Sequence, residues 1–405
     1  MTRGEISHEA VLKALSEYDQ AGRGAFLEDH GFDRADQYYV QHDGKLYDAK
    51  AILNVAHHHE HGDLPDPVIS GGRAHSNRLL AGLGFTVIDG RPASVEGERA
   101  WRLVVWSHLR ATNPNLSRVP ARALREYGAY GGGQGVWADV ARTSAIRAGG
   151  IAMGILHTGA HYPDDFTDDG AHYRYPQTGR PVGRDASEVN AMKAAADLRL
   201  PIFTSAKPTP RSEWRIVRLA WVEGWDDPSS TFLLSYDEAP PEQVLSEDRS
   251  DEEPFVLTGS GARRRRRDVT ERPGQPRFKL RVFQRYSPRC PLSGISVPEM
   301  LEAAHLRPVM DDGTNDPRNG LPLNAALHRA YDAHLFAFHP DTLDVVTVPG
   351  GPTFDDLRIT TPHLRDLPRR PHTEALRWRY EAWLARHPEA AAAVPAQRKA
   401  QRIDA

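Results

Sequence analysis

A single cysteine, Cys290, stands among the 405 residues. One thiol cannot form an intrachain disulfide, and it cannot supply the cysteine cage of a structural zinc site. Long apolar runs are also missing. Nothing approaches the ~20 apolar residues that a membrane-spanning helix needs. The N-terminal MTRGEISHEAVLKAL is amphipathic and lacks the apolar stretch of a signal peptide, so a soluble, cytoplasmic chain is expected. Neither sign of charge dominates: the formal net charge is −3, a balance that does not announce a nucleic-acid binder. The asymmetry is local. SEDRSDEEP (Ser246 to Pro254) is acidic and reads as a solvated linker. ARRRRRD (Ala262 to Asp268) is strongly basic. Such a run suits phosphate contacts, because each neutralised phosphate releases counterions; it equally suits a loose tether or a localisation signal.

A chain of this length holds two or three domains. Residues 1–92 read as a small α+β unit. Val11, Leu12, Leu15 and Tyr18 have helical spacing, with a stop at Gly22. QYYVQHDGKLYDAKAILNVAHHH reads as a hairpin turning at Asp43-Gly44, then a helix opened by Asp48; GLGFTVID closes the unit as a strand. GRPASVEGE reads as a linker. Residues 98–242 are richer in strand signals: WRLVVWSHL, GIAMGILHT, LPIFTS, WRIVRLAWVEGW and TFLLSY. With SEVNAMKAAADL as the one clear helix, they predict a partly open barrel or strongly bent sheet. Residues 243–276 read as a charged linker, residues 277–345 as a compact third unit, and residues 346–405 as an extension led by the amphipathic TEALRWRYEAWLARH. No internal repeat is visible.

The third unit holds three polar residues in a frame, His305, Asn319 and His328, spaced by 14 and then 9 positions. His305 ends the strand-like MLEAAHL, Asp311-Asp312-Gly313 turns the chain, and His328 falls inside the helical LPLNAALHRAYDAHL. Phosphodiester hydrolysis calls for these residue types. A water must be deprotonated near neutral pH, which suits imidazole. A divalent cation must neutralise charge on the phosphate, and a second imidazole can hold it. An amide can pin the intervening loop by hydrogen bonding from both its ends. The segment resembles the HNH, or ββα-metal, nucleases, above all those whose first motif is an Ala-Ala-His strand. The resemblance implies His305 as general base, Asn319 as the residue that orders the loop, and His328 as a metal ligand, with Mg²⁺ or Mn²⁺ as the ion and no structural zinc. Many relatives carry an acidic residue or histidine before the base, where this chain has Ala304. Asn319, water and Glu302 are then the candidates for the remaining ligands.

GAHYPDDFTDDGAHYRYPQTGR, from Gly159 to Arg180, sets Tyr162 and Tyr175 around Asp164, Asp165, Asp168 and Asp169. Upstream lies the glycine-rich EYGAYGGGQGVW, suited to close approach by a ligand. A flipped base needs aromatic faces and a polar group at its pairing edge, and a carboxylate accepts well from the cytosine N4 amino group. The segment resembles the SRA domain, a reader of 5-modified cytosine, with Ala160 and Pro176 as departures. That resemblance implies that Tyr162 and Tyr175 sandwich the base and Asp165 takes its amino group. FLEDHGF, YDAKAIL and GLGF resemble the head domain of McrA-like type IV restriction enzymes. His57, His58, His59 and His61 lie on one helix but point in different directions, poor geometry for a shared ion; Lys45, Lys50, Arg73 and Arg78 are the head's DNA-contact candidates.

The fold expected is therefore α+β and multidomain: a small α+β head, an SRA-like bent β-barrel and a ββα-metal nuclease domain. The implied function is modification-dependent cleavage of double-stranded DNA containing 5-methyl- or 5-hydroxymethylcytosine, by a homodimer because two strands must be nicked. The rival readings are an HNH nuclease with a general DNA clamp in the middle, and a non-catalytic reader of modified DNA.

Overall fold

The computed structural model describes residues 5–133, 135–158, 165–166 by backbone alone, 170–177, 183–236, 239–242, 244–259 and 274–391. The five-arginine run, Tyr162 and the rest of the aspartate cluster around it lie outside the described residues. Two compact units are formed. One comprises Met1–His161, Pro176–Val222 and Tyr236–Pro241, the other Tyr162–Tyr175, Glu223–Ser235 and Glu242–Ala405.

In the first unit the helix His8–Ala21 is capped by Ser7, whose side chain accepts from the Ala10 N–H at 3.1 Å. It buries Val11, Leu15 and Tyr18 on one face and ends at Gly22. The hairpin Tyr38–His42 and Lys45–Asp48 turns through Asp43 (φ +46°) and Gly44 (φ +76°). Two consecutive positive φ values match the right-handed twist of the strands. Thr86–Asp89 pairs antiparallel with Tyr38–His42, and the helix Ala49–His61 packs on His8–Ala21 through an apolar core that includes Phe26, Ile52 and Val55. Asp48 does not cap that helix, contrary to expectation. Its buried carboxylate accepts instead from the Tyr18 hydroxyl at 2.5 Å, from Arg23 at 2.9 Å through two nitrogens, and from the Ala35 N–H at 2.5 Å. Two of the helix histidines take separate partners: His57 faces the Asp63 carbonyl at 3.0 Å, and His59 faces Glu17 at 2.8 Å.

WRLVVWSHL is not a strand, and GRPASVEGE is not simply a linker. Ser94 accepts from the Gly97 N–H and starts a helix, Val95–Thr112, that buries Trp101, Val105 and Leu109. Those three recur every fourth residue, a helical period hidden inside a β-rich composition. Glu98 and Arg102, also one turn apart, form a fully buried pair at 2.7 Å. Arg102 donates to the Ala152 and Pro201 carbonyls, each at 2.7 Å, and Arg142 reaches Glu98 at 2.6 Å. The other expected strands form. Gly135–Ala138 runs antiparallel to Ala152–His157, which runs parallel to Ile202–Ala206, which runs antiparallel to Trp214–Asp226. The described strands form an open sheet and do not close into a barrel. The parallel step is made across the helix Arg184–Asp197.

In the second unit Gly170–Arg174 pairs antiparallel with Thr231–Ser235. The helix Gln275–Tyr286 packs with the hairpin Leu301–His305 and Gly320–Asn324. The helix Ala325–Asp332, the hairpin Phe336–Phe338 and Val345–Thr347, and the helix Thr373–Arg386 complete it. The acidic SEDRSDEEP is no free tether: Asp248 and Ser250 are buried, and Arg285 donates to both at 3.0 Å while Arg369 reaches Asp248 at 2.8 Å.

His108 yields a pH test in the first unit. Its Nδ1 accepts from the Leu46 N–H at 3.0 Å, tying the helix Val95–Thr112 to the hairpin. Desolvation, then the charges of Arg23 and Lys45, push its pKa down to about 4. The folded form holds the ring neutral, so the unfolded chain takes up the proton first as pH falls. Stability from this site is complete above the unfolded value of ~6.5 and is lost between there and about pH 4, a loss on the order of 3 kcal/mol. Denaturation near neutral pH and near pH 5 is expected to show a larger drop for wild type than for His108→Gln, whose amide oxygen accepts without titrating. Equal drops would refute the role.

Candidate active site

The helix Gln275–Tyr286 begins after Gly274, with Pro276 in its first turn, where a missing N–H costs nothing. It buries Phe278, Val282 and Phe283 against the hairpin. Helix and strand can approach this closely because residue 320 is glycine: a Cβ there would stand 2.5 Å from Phe278 Cζ and 2.7 Å from Val282 Cγ2. His305 pairs with Gly320 at the loop end of the hairpin. Its ring lies face to face with Phe278, with centroids 3.7 Å apart and planes at 11°. His305 Nε2 sits 3.0 Å from Asn315 Oδ1. The imidazole is thus fixed both in its plane and about its axis, on a strand whose other residues fill the core.

Asn319 is wholly buried. Its Oδ1 accepts from the Arg307 N–H at 2.9 Å, and its Nδ2 donates to the Arg307 carbonyl at 3.0 Å and the Thr314 carbonyl at 2.8 Å. These bonds tie the loop at Arg307 and Thr314 to the start of the second strand. The same geometry removes Asn319 from the metal-ligand candidates, because both ends of a sealed amide already serve the loop. Gly313 completes the turn; a Cβ there would overlap the Arg307 carbonyl oxygen.

Asn324 ends the second strand and caps the next helix, accepting from the Leu327 N–H at 3.0 Å while donating to Ser293 Oγ at 2.8 Å. His328 follows in the helix Ala325–Asp332. Its Nδ1 lies 2.6 Å from Glu302 Oε2 and its Nε2 3.4 Å from Asp332 Oδ2. Glu302 is therefore the nearer of two carboxylates that flank His328. Among the described residues no group of three or more His, Cys, Asp or Glu side chains is placed to hold one ion. An imidazole with one carboxylate fits a hydrated divalent cation that keeps several waters and gains phosphate oxygens from the substrate. Four residues here escaped the sequence reading: Phe278, Asn315, Arg307 and Asp332. Only Asp332, one helical turn after His328, left a readable signal.

The proposed base-binding residues are less complete. Asp165 is placed by backbone only, paired with His172. Tyr175 is nearly buried; its hydroxyl donates to Asp227 Oδ1 at 2.8 Å and its ring packs on Phe232, 4.5 Å between centroids. Burial, then the Asp227 hydrogen bond, pushes its pKa upward. Tyr175 belongs to the same compact unit as His305, where the sequence reading set the two sites in separate domains. Of the head's cations, Lys45 pairs with Asp19 at 2.7 Å and Arg73 with Asp89 at 3.0 Å.

A two-stranded hairpin and the helix that follows it thus carry a stacked histidine, a loop-pinning asparagine and a second histidine. Residues 4–89 match the ScoMcrA-like, N-terminal head domain and residues 290–339 the HNH endonuclease family, so the chain carries a ScoMcrA-like head and an HNH endonuclease domain. No curated protein matches. Two solved structures are similar over much of the chain. A modification-dependent TagI restriction endonuclease is 17% identical, over 66% of this chain and 91% of that one, with a TM-score of 0.27. The type IV phosphorothioation-dependent restriction endonuclease ScoMcrA is 14% identical, over 81% and 95%, with a TM-score of 0.21. No helix among the described residues is long and apolar enough to cross a membrane.

Asn319→Ala would leave buried groups of Arg307 and Thr314 unpaired, at about 1–3 kcal/mol for each such group. Asn319→Asp keeps the acceptor and loses both donors. Both variants are expected to lower the melting temperature and to abolish cleavage. A wild-type melting curve for either would show that the loop does not depend on the amide.

Proposed function

We propose that this chain is a metal-dependent endonuclease that cleaves double-stranded DNA carrying a modified cytosine, 5-methyl or 5-hydroxymethyl, and so restricts foreign DNA. The observation that carries the reading is the arrangement of His305, Asn319 and His328 on one hairpin and its following helix. His305, held by Phe278 and Asn315, takes the proton from the attacking water. With Nε2–H donated to the side-chain Oδ1 of Asn315, the basic nitrogen is Nδ1. Asn319 keeps the loop that carries Asn315 in place. His328 and Glu302 would hold the divalent ion, which when bound supplies charge neutralisation at the scissile phosphate.

Recognition is assigned to Tyr162, Asp165 and Tyr175, on the SRA resemblance. Asp165 accepts from the N4 amino group of the flipped cytosine, and aromatic faces stack on the base. Two nuclease centres are needed to cut two strands, so the working form is a homodimer.

Cleavage of paired methylated and unmethylated plasmids with Mg²⁺ or Mn²⁺ tests the whole reading. His305→Ala is expected to lose cleavage by about 10²–10⁴-fold while still binding modified DNA. EDTA is expected to stop cleavage and leave the melting temperature in place, since the core stands without metal; unfolding on chelation would reveal a structural ion instead. Asp165→Ala is expected to weaken binding to methylated DNA by roughly 10- to 100-fold and to keep salt-sensitive binding to any duplex. An undiminished preference for methylated plasmid in that variant would move the pocket elsewhere.

A further inference from the structure

A continuous path of contacts in the second unit runs from the strand that leads into Tyr175 to the ring of His305. Gly170–Arg174 is paired along its length with Thr231–Ser235. In its middle, the buried His172 brings Nε2 to 2.6 Å from the Pro276 carbonyl oxygen. A carbonyl only accepts, so that ring nitrogen carries the proton. Pro276 lies in the first turn of the helix Gln275–Tyr286, two residues before Phe278. Phe278 is the ring that lies flat on His305 at 3.7 Å.

Other contacts keep the helix on the same support. Arg277 pairs with Glu223, and Gln284 donates to the carbonyls of Trp225 at 2.9 Å and Leu245 at 3.0 Å. Arg174 pairs at 3.1 Å with Glu299, two residues before the strand that ends at His305. Opposite, Gly320 leaves Phe278 no slack, since even a methyl group would collide with its ring. One turn of helix is rigid on this scale, so a shift of Pro276 is carried to Phe278 and from there to His305. A misplacement of about 1 Å at a catalytic group can cost on the order of 10²-fold in rate.

We propose that His172 is a positioning residue for the nuclease: the strand Gly170–Arg174 holds the first turn of the helix against His305, and a modified base seated beside Tyr175 acts on cleavage by fixing that strand. The inference rests on the reading of His305 as the general base and of Tyr175 as part of the base pocket. It gives a physical reason for a base-reading strand to share a compact unit with the nuclease centre. A bound base can bias the centre only if it binds one position of the strand better than another, and Tyr175 directly follows the strand.

The test uses the full chain as wild type, His172→Ala, His172→Gln and His305→Ala, with kcat and KM measured separately on methylated and unmethylated plasmids. Loss of the His172 contact is expected to lower kcat on methylated plasmid roughly 10- to 100-fold at unchanged KM, bringing it toward the rate on unmethylated plasmid. Glutamine can donate from Nε2 to the same carbonyl, so His172→Gln is expected to restore both kcat and the preference. Wild-type kinetics in His172→Ala overturn the proposal, as does an equal fall on both plasmids. So does a His172→Gln that melts like wild type yet restores nothing. Wild-type cleavage by His305→Ala would sink the nuclease reading and this inference together; loss there, with wild-type behaviour in His172→Ala, sinks the inference alone.

Discussion

The packing of Phe278 on His305 is the contact on which the nuclease half depends. A histidine at the end of a strand is free to turn about two bonds, and the proposed role of His305 as a base requires one orientation. Here the flat face of Phe278 removes one freedom and Asn315 the other. The stack exists because the helix Gln275–Tyr286 lies close against the hairpin, and that approach exists because residue 320 has no side chain. Behind it, Leu301, Ala303, Ala304, Leu321, Leu323 and Tyr331 form one apolar core with the lone Cys290. With no cysteine cage available, burial at about 25 cal/mol per Å² of apolar surface does the stabilising that a zinc site does elsewhere. Ala304 belongs to this core. An acidic side chain there would be buried in it, whereas Glu302, partly exposed, stands beside His328.

Polar sequence becomes structure in this protein where it meets a buried arginine. Asp48 with Arg23, Glu98 with Arg102 and Arg142, and Asp248 with Arg285 each place charge where water cannot compensate it, and the half-exposed Arg369 adds a second contact to Asp248. Removing one partner from such a buried pair typically costs about 3–5 kcal/mol. The three groups also join segments far apart in the chain, so they fix register between elements that apolar packing alone would leave free to slide.

These networks mark the limit of what the sequence reveals. Local chemistry was legible. Asp43-Gly44 announced its turn, the spacing of Val11, Leu15 and Tyr18 its helix, and the segment holding His305, Asn319 and His328 its nuclease domain. Illegible were choices made by distant partners. Asp48 stands where a helix cap belongs, but Arg23 and Tyr18 claim its carboxylate. WRLVVWSHL has the composition of a strand, yet its buried residues recur every fourth position and include a salt bridge that needs Ala152 and Pro201 to complete it. SEDRSDEEP reads as solvated until Arg285 and Arg369 are brought to it. Within the site, Phe278 and Asn315 carry no motif of their own; each matters through the ring of His305, which only the fold brings near.

The spacing that announced the site is itself a statement of hairpin register. From Asn319 the chain runs through the five-residue strand Gly320–Asn324 and into the helix, where His328 is the fourth residue. Across the hairpin Leu301 faces Asn324 and His305 faces Gly320. His305 therefore stands at one end of the pairing and the helix start at the other, separated by the length of the strand. A slip of one residue would turn every side chain of a strand to the opposite face, taking Glu302 from His328 and His305 from Phe278. Several features oppose that slip. Asn319 ties the loop to both backbone groups of Arg307, Asn324 caps the helix while bonding Ser293, and Gly320 is the residue that admits Phe278. The intervals of 14 and 9 thus follow from one requirement: two imidazoles must be held at fixed stations along a short, singly registered pair of strands.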